Sequence, residues 1–288
     1  MKKNYSAFSL IELAIVILII GILIAGVISG SGVVKSARIN SARSFTAKSV
    51  VPTINGLTAW YEASLDDSFI KSEAYNSGQI STWYDISPSS RIAKRNSLTR
   101  SASAQVLYQI SGINKIPSVS FISGANASFN LSSFYQGSLT QSTIFIVFRP
   151  TNSVTLATIS DSNSTSSTSI ALNSNNITLN AGISASTSTA SNPANISLNN
   201  NYIMAVYFSG SSSKAYLNNA TTSAGNSTID AGTNSLNGLT IGSQYNSTNP
   251  YNGLISEIII YNRALQIQER RDVFKYLSYK YKISVTGI

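Results

Sequence analysis

The hydrophobic and polar positions divide this chain into three parts, the first of which is almost uninterruptedly apolar. Residues 8–28 read FSLIELAIVILIIGILIAGVI and carry one charge, on Glu12. A helix rises about 1.5 Å per residue, so this segment is long enough to cross a hydrocarbon core of about 30 Å. The pattern therefore predicts a single membrane-spanning helix.

A helical periodicity continues beyond this segment, now with a polar face. Small and apolar residues recur at spacings of three and four along one stripe, formed by Val34, Ala37, Ser41 and Phe45. Pro52 ends the helix, because the residue before a proline is pushed out of the α region. The sequence thus predicts one long helix over residues 8–51, whose second half either packs on the following domain or forms a free stalk.

Downstream of Pro52 the apolar residues fall into short runs that are rich in β-branched and aromatic side chains. Clusters of Ser, Asn and Gly bound these runs, which is typical of strands, several of them buried on both faces. The runs are Ile144–Phe148, Ile177–Leu179, Tyr202–Phe208, Ala215–Leu217, Leu239–Ile241 and Leu254–Tyr261. Many strands and almost no helix predict a mainly β domain, an antiparallel β-sandwich of the jelly-roll type with a short C-terminal helix near Gln266–Tyr281.

The composition excludes several kinds of chemistry. The chain has no Cys and no His, which excludes disulfides, zinc sites, Ser–His–Asp triads and Cys–His dyads. Charged residues make up only 11% of the chain, so Ser, Thr, Asn and Gln must supply most of its polar surface. Such a surface suits an exported protein, and we expect it to carry no cofactor.

Glu12 and the leader in front of it form one chemical arrangement. A carboxylate near a hydrocarbon core costs roughly 2.5–3.5 kcal/mol on insertion scales, so Glu12 needs a positive partner. The leader MKKNYSA ends at Ala7, and cleavage after this residue creates a new α-amino group on Phe8. One proteolytic step would thus supply the missing cation.

This arrangement resembles the N-terminal signal of type IV pilins and pseudopilins, the subunits of bacterial filaments and secretion systems. Their signal is a short basic leader, a small residue that is usually Gly, then Phe, a few apolar residues and Glu; here Ala7 replaces the Gly. The resemblance implies that a prepilin peptidase removes residues 1–7, that Phe8 is N-methylated and that Glu12 directs assembly with other pilin or pseudopilin subunits. It also implies a single pass through the inner membrane before assembly, and afterwards a place in a filament, in the periplasm or at the cell surface.

Two other interpretations of the N-terminus stay open. A secretory signal peptide is cleaved after its apolar region, and the SGSG run at residues 29–32 is small enough to be such a site. An uncleaved signal anchor fits the length of the apolar segment equally well. Neither interpretation explains Glu12, so we prefer the pilin-like one.

Four segments between about Leu57 and Ile283 resemble the laminin-G-like, concanavalin-A-like jelly rolls of bacterial surface proteins. They are GLTAWYEAS, ISTWYDIS, YFSGSSSKAYLNNA and GLISEIIIYNRALQIQER, at Gly56–Ser64, Ile80–Ser87, Tyr207–Ala220 and Gly253–Arg270. The resemblance implies a displayed domain that binds a glycan, a surface or another subunit. We expect Glu257, in the last segment, to make a structural hydrogen bond or ion pair.

The acidic residues do not match those of an enzyme. Jelly-roll glycosidases use two or three carboxylates close together on one strand, and Glu62, Asp66 and Asp67 lack the alternating acidic array. We therefore expect a non-enzymatic protein without a metal site. Calcium bound by Asp66, Asp67 and Asp85 is the alternative, although turn chemistry explains Asp in loops equally well.

Two sets of surface residues are candidates for ligand binding, and the sequence specifies no particular ligand. Three tyrosines in polar stretches are able to stack on sugar rings: Tyr135, Tyr245 and Tyr251. A basic cluster is either a solvated loop face or a patch for DNA or another polyanion: Arg91, Lys94, Arg95 and Arg100. Of these two kinds of ligand, sugars and nucleic acids, nucleic acids are the less favoured.

The sequence as a whole favours a minor pilin or pseudopilin, because a head domain this large would crowd the lattice of a major pilin. The alternative is a membrane-anchored glycan-binding surface protein that does not assemble, and a third interpretation is an accessory subunit of an enzyme. The predicted plan is a prepilin leader at residues 1–7, a transmembrane and assembly helix at 8–51 and a jelly-roll domain at 52–288.

Overall fold

The computed structural model contains a long helix, two packed β-sheets and a closing helix. It describes residues 9–101, 105–122, 127–152, 157–162, 168–173, 176–182, 188–191, 196–226, 228 and 230–288. Helix α1 spans Leu10–Ala47, and helix α2 spans Ile267–Tyr281. We call the two sheets together with α2 the head.

The described residues include fifteen strands. In chain order these are β1 (Leu57–Glu62), β2 (Thr82–Trp83), β3 (Leu98–Arg100), β4 (Val106–Gln109), β5 (Ser118–Phe121), β6 (Phe129–Leu131), β7 (Ser142–Pro150), β8 (Ala157–Asp161), β9 (Ser169–Asn173), β10 (Asn176–Asn180), β11 (Ser188–Ser191), β12 (Tyr202–Phe208), β13 (Lys214–Leu217), β14 (Leu239–Ile241) and β15 (Gly253–Tyr261). All six of the predicted strand runs lie within these bounds, and α2 begins one residue after the predicted start.

The strands form two antiparallel sheets. Sheet A has the order β13-β12-β7-β15-β5-β4, and β1 joins it on β15. One edge of β15 is shared, because β5 pairs with Gly253–Ile255 and β1 pairs with the remainder of the strand. Sheet B has the order β11-β10-β9-β8-β14-β6-β3-β2. Neighbours such as β7 and β15 are far apart in the sequence, as the predicted jelly roll requires.

Sheet A is covered on both faces. On β7, Ile144, Ile146 and Phe148 belong to the core between the sheets, whereas Phe145 and Val147 belong to a second core beneath the helices. Successive side chains of a strand point to opposite faces, so both faces must be apolar to be buried. This explains the continuous apolar run in β7 and gives three layers: helices, sheet A and sheet B.

Helix α2 closes the head over sheet A. Its N-terminus is held by Glu269, whose carboxylate accepts the backbone N–H of Gln266 at 2.8 Å and pairs with Arg263. Lys282 ends the helix in a left-handed conformation with φ of 52°. Val273, Phe274 and Leu277 are fully buried against the sheet, as their spacing predicts.

Helix α1 differs from the prediction in its end and in its orientation. It ends at Ala47 because Val51–Thr53 form a separate 3-10 turn around Pro52. In the predicted stripe, Val34 and Phe45 are exposed, and Ser41 and Phe45 border a groove between α1 and α2. The face that meets the head instead carries Ala42, Arg43 and Thr46, one position along the helix.

The predicted membrane span concerns the first half of α1. Among the residues that the structure describes, no helix is long and apolar enough to cross a membrane. The span at residues 8–28 therefore stays a prediction.

Candidate functional site

The N-terminal motif is described from Ser9 onward, so Ala7 and Phe8 lie outside the described residues. Glu12 lies in the first turn of α1, where its carboxylate accepts the backbone N–H of Ser9 at 2.9 Å. A negative charge in this position also interacts favourably with the positive, N-terminal end of the helix dipole. The structure therefore gives Glu12 a local role in starting the helix, which the sequence argument did not include.

The first half of α1 presents an apolar surface on every side. Between Leu10 and Ile24 the large apolar side chains are 48–86% exposed. Soluble proteins rarely expose a continuous apolar surface of this size, and one that exists marks a contact with a membrane or with other proteins. This half of the helix therefore requires a covering that the described residues of the chain do not supply.

The second half of α1 is attached to the head through its last two turns. Ala42 and Thr46 are buried there. Arg43 donates from Nε to the carbonyl of Ser64 at 2.8 Å and from both terminal nitrogens to Asp66. The predicted alternative of a helix half that packs on the following domain thus applies to this end of α1.

A buried ion cluster lies directly beneath this attachment. Lys280 of α2 donates from Nζ to Glu62 Oε1, Glu257 Oε2 and Thr46 Oγ1, each at 2.7 Å. The side chains of Lys280, Glu62 and Glu257 have no solvent exposure. Strands β1 and β15, which supply the two carboxylates, pair at these two residues. The cluster therefore ties α1, α2 and the middle of sheet A together.

The rest of the cluster is fully hydrogen-bonded. Glu257 accepts from Trp60 Nε1 and the Tyr276 hydroxyl at 2.8 Å, and from the Tyr281 hydroxyl at 2.9 Å. The pKa of Glu257 is raised, mainly by burial; the charge of Lys280 lowers this pKa without cancelling the effect of burial, and the charge of Glu62 raises it further. The donor set stabilises the ionised form of this carboxylate. The prediction that Glu257 makes a structural hydrogen bond or ion pair is confirmed.

The outer face of sheet B carries a row of small polar side chains. Cross-strand pairing aligns Thr82 with Thr99, Thr99 with Asn130, Asn130 with Thr240 and Thr240 with Asp161. The residues on either side of Asn130 and Thr240 lie in the core between the sheets, so this row points away from the core. We call it the polar row.

One end of the polar row is open and the other is covered. Thr99 is exposed and Asn130 is half-buried, whereas Thr240 and Asp161 are buried. Asp161 accepts the backbone N–H of Ser162 at 2.8 Å and that of Tyr245 at 2.9 Å. Burial nevertheless raises the pKa of Asp161 to about 6, against the lowering effect of those two bonds.

The three aspartates proposed for calcium do not form one site. Asp66 pairs with Arg43 and Asp67 with Arg91. Asp85 is buried and accepts the backbone N–H groups of Trp60 and Ser87 at 2.8 Å. Within the described part of the chain, no group of three or more acidic side chains is arranged to hold a metal ion.

The tyrosines proposed for sugar stacking have different surroundings. Tyr135 and Tyr245 are exposed, and the Arg95 guanidinium lies 3.8 Å from the centre of the Tyr135 ring. Tyr251 is fully buried, and its hydroxyl donates to the carbonyl of Leu254 at 3.2 Å. Of the three candidates, Tyr251 is therefore not available to stack on a sugar, because its ring fills the core beside Phe121.

Three residues of the basic cluster each contact a different nearby side chain. Arg91 pairs with Asp67 at 2.5 Å, the Lys94 ammonium lies 3.9 Å from the centre of the Tyr84 ring, and Arg95 covers Tyr135. Arg100 lies on β3, apart from this loop. Side chains held in this way form a structured loop face, which agrees with the preferred interpretation of the cluster.

The two sheets packed face to face, with an apolar core between them and a polar outer row, define a jelly-roll domain of the lectin type. The family model of the concanavalin A-like lectin/glucanases superfamily matches residues 123–269. The chain belongs to this superfamily. The prokaryotic N-terminal methylation motif matches residues 2–28, so the same chain carries a type IV prepilin-like N-terminus.

Solved structures agree on the fold of the head. Domain 4 of AbnA, a GH43 extracellular arabinanase from Geobacillus stearothermophilus solved in complex with arabinotriose, has a TM-score of 0.52 and 17% identity over 75% of this chain and 97% of that domain. Trypanosoma rangeli sialidase in complex with the inhibitor DANA has a TM-score of 0.52 and 13% identity, covering 80% of this chain. The chain spans only 34% of the sialidase, and at these identities the likeness concerns the fold alone. None of the curated proteins matches the sequence.

Sequence reasoning missed Lys280, Thr46 and Asp161. The position of Lys280 in the sequence could have indicated its role. It lies among Tyr276, Leu277 and Tyr281 on the apolar face of α2, where a lysine needs a buried partner. Thr46 and Asp161 carried no signal of this kind. Their roles depend on which residues the fold brings opposite them.

Proposed function

We propose that this chain is a minor pilin or pseudopilin, a membrane-inserted precursor that is cleaved after Ala7 and assembles through α1. The observation that carries the proposal is the methylation motif at residues 2–28 continuing into a helix whose apolar side chains are exposed on every side. Before assembly the lipid of the inner membrane would cover this surface. In a filament in the periplasm or at the cell surface, the helices of other subunits would replace the lipid.

The exposed stripe of α1 supports assembly over simple anchoring. The head leaves Val34, Ala37, Ser41 and Phe45 uncovered, although their spacing makes one continuous face on the helix. A plain membrane anchor has no need for such a face outside the membrane. A neighbouring subunit that packs along the first half of α1 would continue onto this stripe.

The chemistry of the N-terminus supports the same conclusion. Removal of residues 1–7 by a prepilin peptidase would leave the α-amine of Phe8 close to Glu12 of its own or a neighbouring subunit. An α-amine has an ordinary pKa of about 7.7–8.0, so it is mostly protonated at neutral pH. The pair would then offset the cost of placing the Glu12 carboxylate in an apolar surrounding.

The positions of the acidic residues support a head that binds rather than hydrolyses. Glycosidases place two carboxyl groups about 5–9.5 Å apart on either side of a bound sugar. Of the eleven Asp and Glu residues of the chain, those in strands are Glu62, Asp161 and Glu257. Glu62 and Glu257 are sealed in the ion cluster with Lys280, which leaves Asp161 alone on sheet B.

The polar row is the surface of the head that suits a glycan best. Hydroxyl and amide side chains are matched to the hydroxyl groups of sugars, because each of them is able to donate and to accept a hydrogen bond. The row crosses five neighbouring strands, and the exposed ring of Tyr245 belongs to the loop that donates to Asp161. The superfamily assignment agrees with a carbohydrate ligand for the head.

Sequencing the N-terminus of the mature protein tests the proposal most directly. The intact mass of membrane-extracted protein should correspond to a chain that begins at Phe8 and carries one methyl group. Ala7→Leu should leave uncleaved precursor in the membrane, because the small residue before the cleavage site is lost. Retention of Met1, or cleavage near Ser29, would contradict the pilin-like assignment.

A second experiment separates assembly from anchoring in a glycan-binding surface protein. Glu12→Val should still be inserted and cleaved, since losing the charge makes insertion easier. It should be absent from sheared filaments. Wild-type protein should be present in them, and so should a control variant of the head, Glu73→Gln, which changes a carboxylate that accepts from the backbone N–H and hydroxyl of Ser81. Normal incorporation of Glu12→Val would rule out the assembly role of this residue.

A further inference from the structure

The ion cluster of the head takes one of its acceptors from a different part of the chain. A lysine ammonium has three N–H donors. Two of those of Lys280 go to Glu62 and Glu257 of sheet A. The third goes to the hydroxyl of Thr46 on α1, at the same distance of 2.7 Å.

The surroundings of Lys280 offer no better acceptor for the third donor. Its side chain is fully buried, so water does not reach it. The hydroxyl oxygen of Tyr276, which donates its hydrogen to Glu257, also accepts from Lys280, but at the longer distance of 3.2 Å. A buried charged donor that loses its acceptor is costly, so the cluster favours the arrangement in which α1 is docked.

Arg43 also joins α1 to the head, through the Ser64 carbonyl at 2.8 Å and through an ion pair of a different kind. Arg43 and Asp66 form an ion pair at the surface, with 33% and 76% of their side chains exposed. An exposed pair contributes little and is screened by salt. The contact of Thr46 with Lys280 is buried, so salt does not weaken it in the same way.

We propose that Thr46 is a positioning residue that locks the end of α1 to the head by completing the hydrogen bonding of Lys280. The lock sets the angle between the helix and the head. In a filament it would therefore fix the direction in which the head is displayed. The lock itself is a property of the single chain and does not depend on the proposed function.

Two matched variants of the detergent-solubilised full-length chain test this lock. Thr46→Val keeps the size and the β-branch of the side chain but removes the acceptor, whereas Thr46→Ser keeps the acceptor. Because the chain contains no cysteine, spin labels on Ser41→Cys and Lys275→Cys report the distance across the groove between the two helices. Hydrogen exchange of the amides near Thr46 provides an independent measurement.

The expected results distinguish the lock from a general role in packing. Wild type and Thr46→Ser should give one narrow distance that 1 M NaCl does not change. Thr46→Val should give a broad distribution, and amides in the last two turns of α1 should exchange about tenfold faster. The thermal midpoint of the head should stay within about 2 °C of that of the wild type.

Two outcomes would overturn the proposal. A narrow distance in Thr46→Val, equal to that of the wild type, would mean that the hydroxyl does not position the helix. Unfolding of the head in Thr46→Val would mean that Thr46 belongs to the core of the head and is not a lock between two parts.

Discussion

Sheet A is buried on both faces, whereas the outer face of sheet B is lined by hydroxyl and amide side chains. All nine residues of β15 in sheet A are buried. In β6 of sheet B, Phe129 and Leu131 face the core, and Asn130 between them belongs to the polar row. The difference shows where the helices lie, because α2 and the end of α1 cover sheet A only. It also separates two surfaces: sheet A holds the head on the helix, and the surface proposed for a ligand lies on sheet B.

The largest effect should come from removing a large side chain between α2 and sheet A. Phe274 is fully buried, and its ring centre lies 5.5 Å from that of Phe145. Phe274→Ala should lower the free energy of unfolding by about 3–5 kcal/mol, measured by urea denaturation. The matched change on the outer face of sheet B, Thr99→Ala, should stay within about 0.5 kcal/mol. Similar effects at both positions would contradict the difference between the sheets.

A smaller effect should follow the protonation of Asp161 on sheet B. The pKa of this group is about 6 in the folded chain and about 3.9 in an unfolded one, so the folded state binds more protons between these values. The contribution of Asp161 is therefore fully present below about pH 4 and is lost as pH rises through 6. The free energy of unfolding of the wild type, measured relative to that of Asp161→Asn, should fall by roughly 2 kcal/mol between pH 4.5 and pH 8. If this difference in the free energy of unfolding is constant, or rises with pH, the pKa of Asp161 is not raised in the folded chain.

The next prediction concerns binding without a change in stability. The double variant Thr99→Ala, Asn130→Ala should weaken carbohydrate binding on a glycan panel about tenfold, because both side chains belong to the open end of the polar row. Its thermal midpoint should match that of the wild type. Binding should be insensitive to salt, unlike a phosphate-contacting patch.

The control for this binding prediction lies in the basic cluster. Changing Arg91, Lys94 and Arg95 to Ala should leave glycan binding intact. If instead the protein binds DNA tightly, loses that binding as salt is raised, and loses it in this triple variant, then the ligand surface is the basic loop and not sheet B.

The smallest expected effect is that of a chelator on the stability of the isolated head. Residues 53–288 expressed alone should fold as a soluble β-rich monomer, because both cores of the head are built mainly from residues after Pro52. Its unfolding midpoint should not change with EDTA. A bound ion at 100 times its Kd would add about 2.7 kcal/mol, so a large shift would reveal a metal site that the paired and buried aspartates do not suggest.

The sequence predicted more of the strands of sheet A than of sheet B. Continuous runs such as Ile144–Phe148 predict strands buried on both faces, and the structure agrees. The predicted runs did not include β3, β6, β8, β9 and β11 of sheet B, nor β4 and β5 of sheet A. These strands are short, and β8 and β11 are rich in Ser and Thr, like the loops around them. Polar residues of this kind become a strand face only when pairing with neighbours satisfies their backbone groups.

The candidate sites depended on contacts that no local pattern contains. Glu12, Ala7 and Phe8 form a motif within a few residues, so a sequence is enough to suggest it. Lys280 meets Glu62 across 218 positions of the chain, and the docking face of α1 differs from the predicted stripe by one position, a rotation of about 100° around the helix. Such a rotation is decided by what the head presents to the helix and not by the helix alone.

The way β1 enters sheet A has a mechanical consequence. Helix α1 has 38 residues, a length of about 57 Å, and only its last two turns are attached to the head. In the proposed filament, a pull on the helix would therefore be carried by these attachments and through residues 48–56 into β1. This strand pairs along its length with β15, which is also joined to β5 and β7. Force directed along β1 would load its hydrogen bonds with β15 together, in shear.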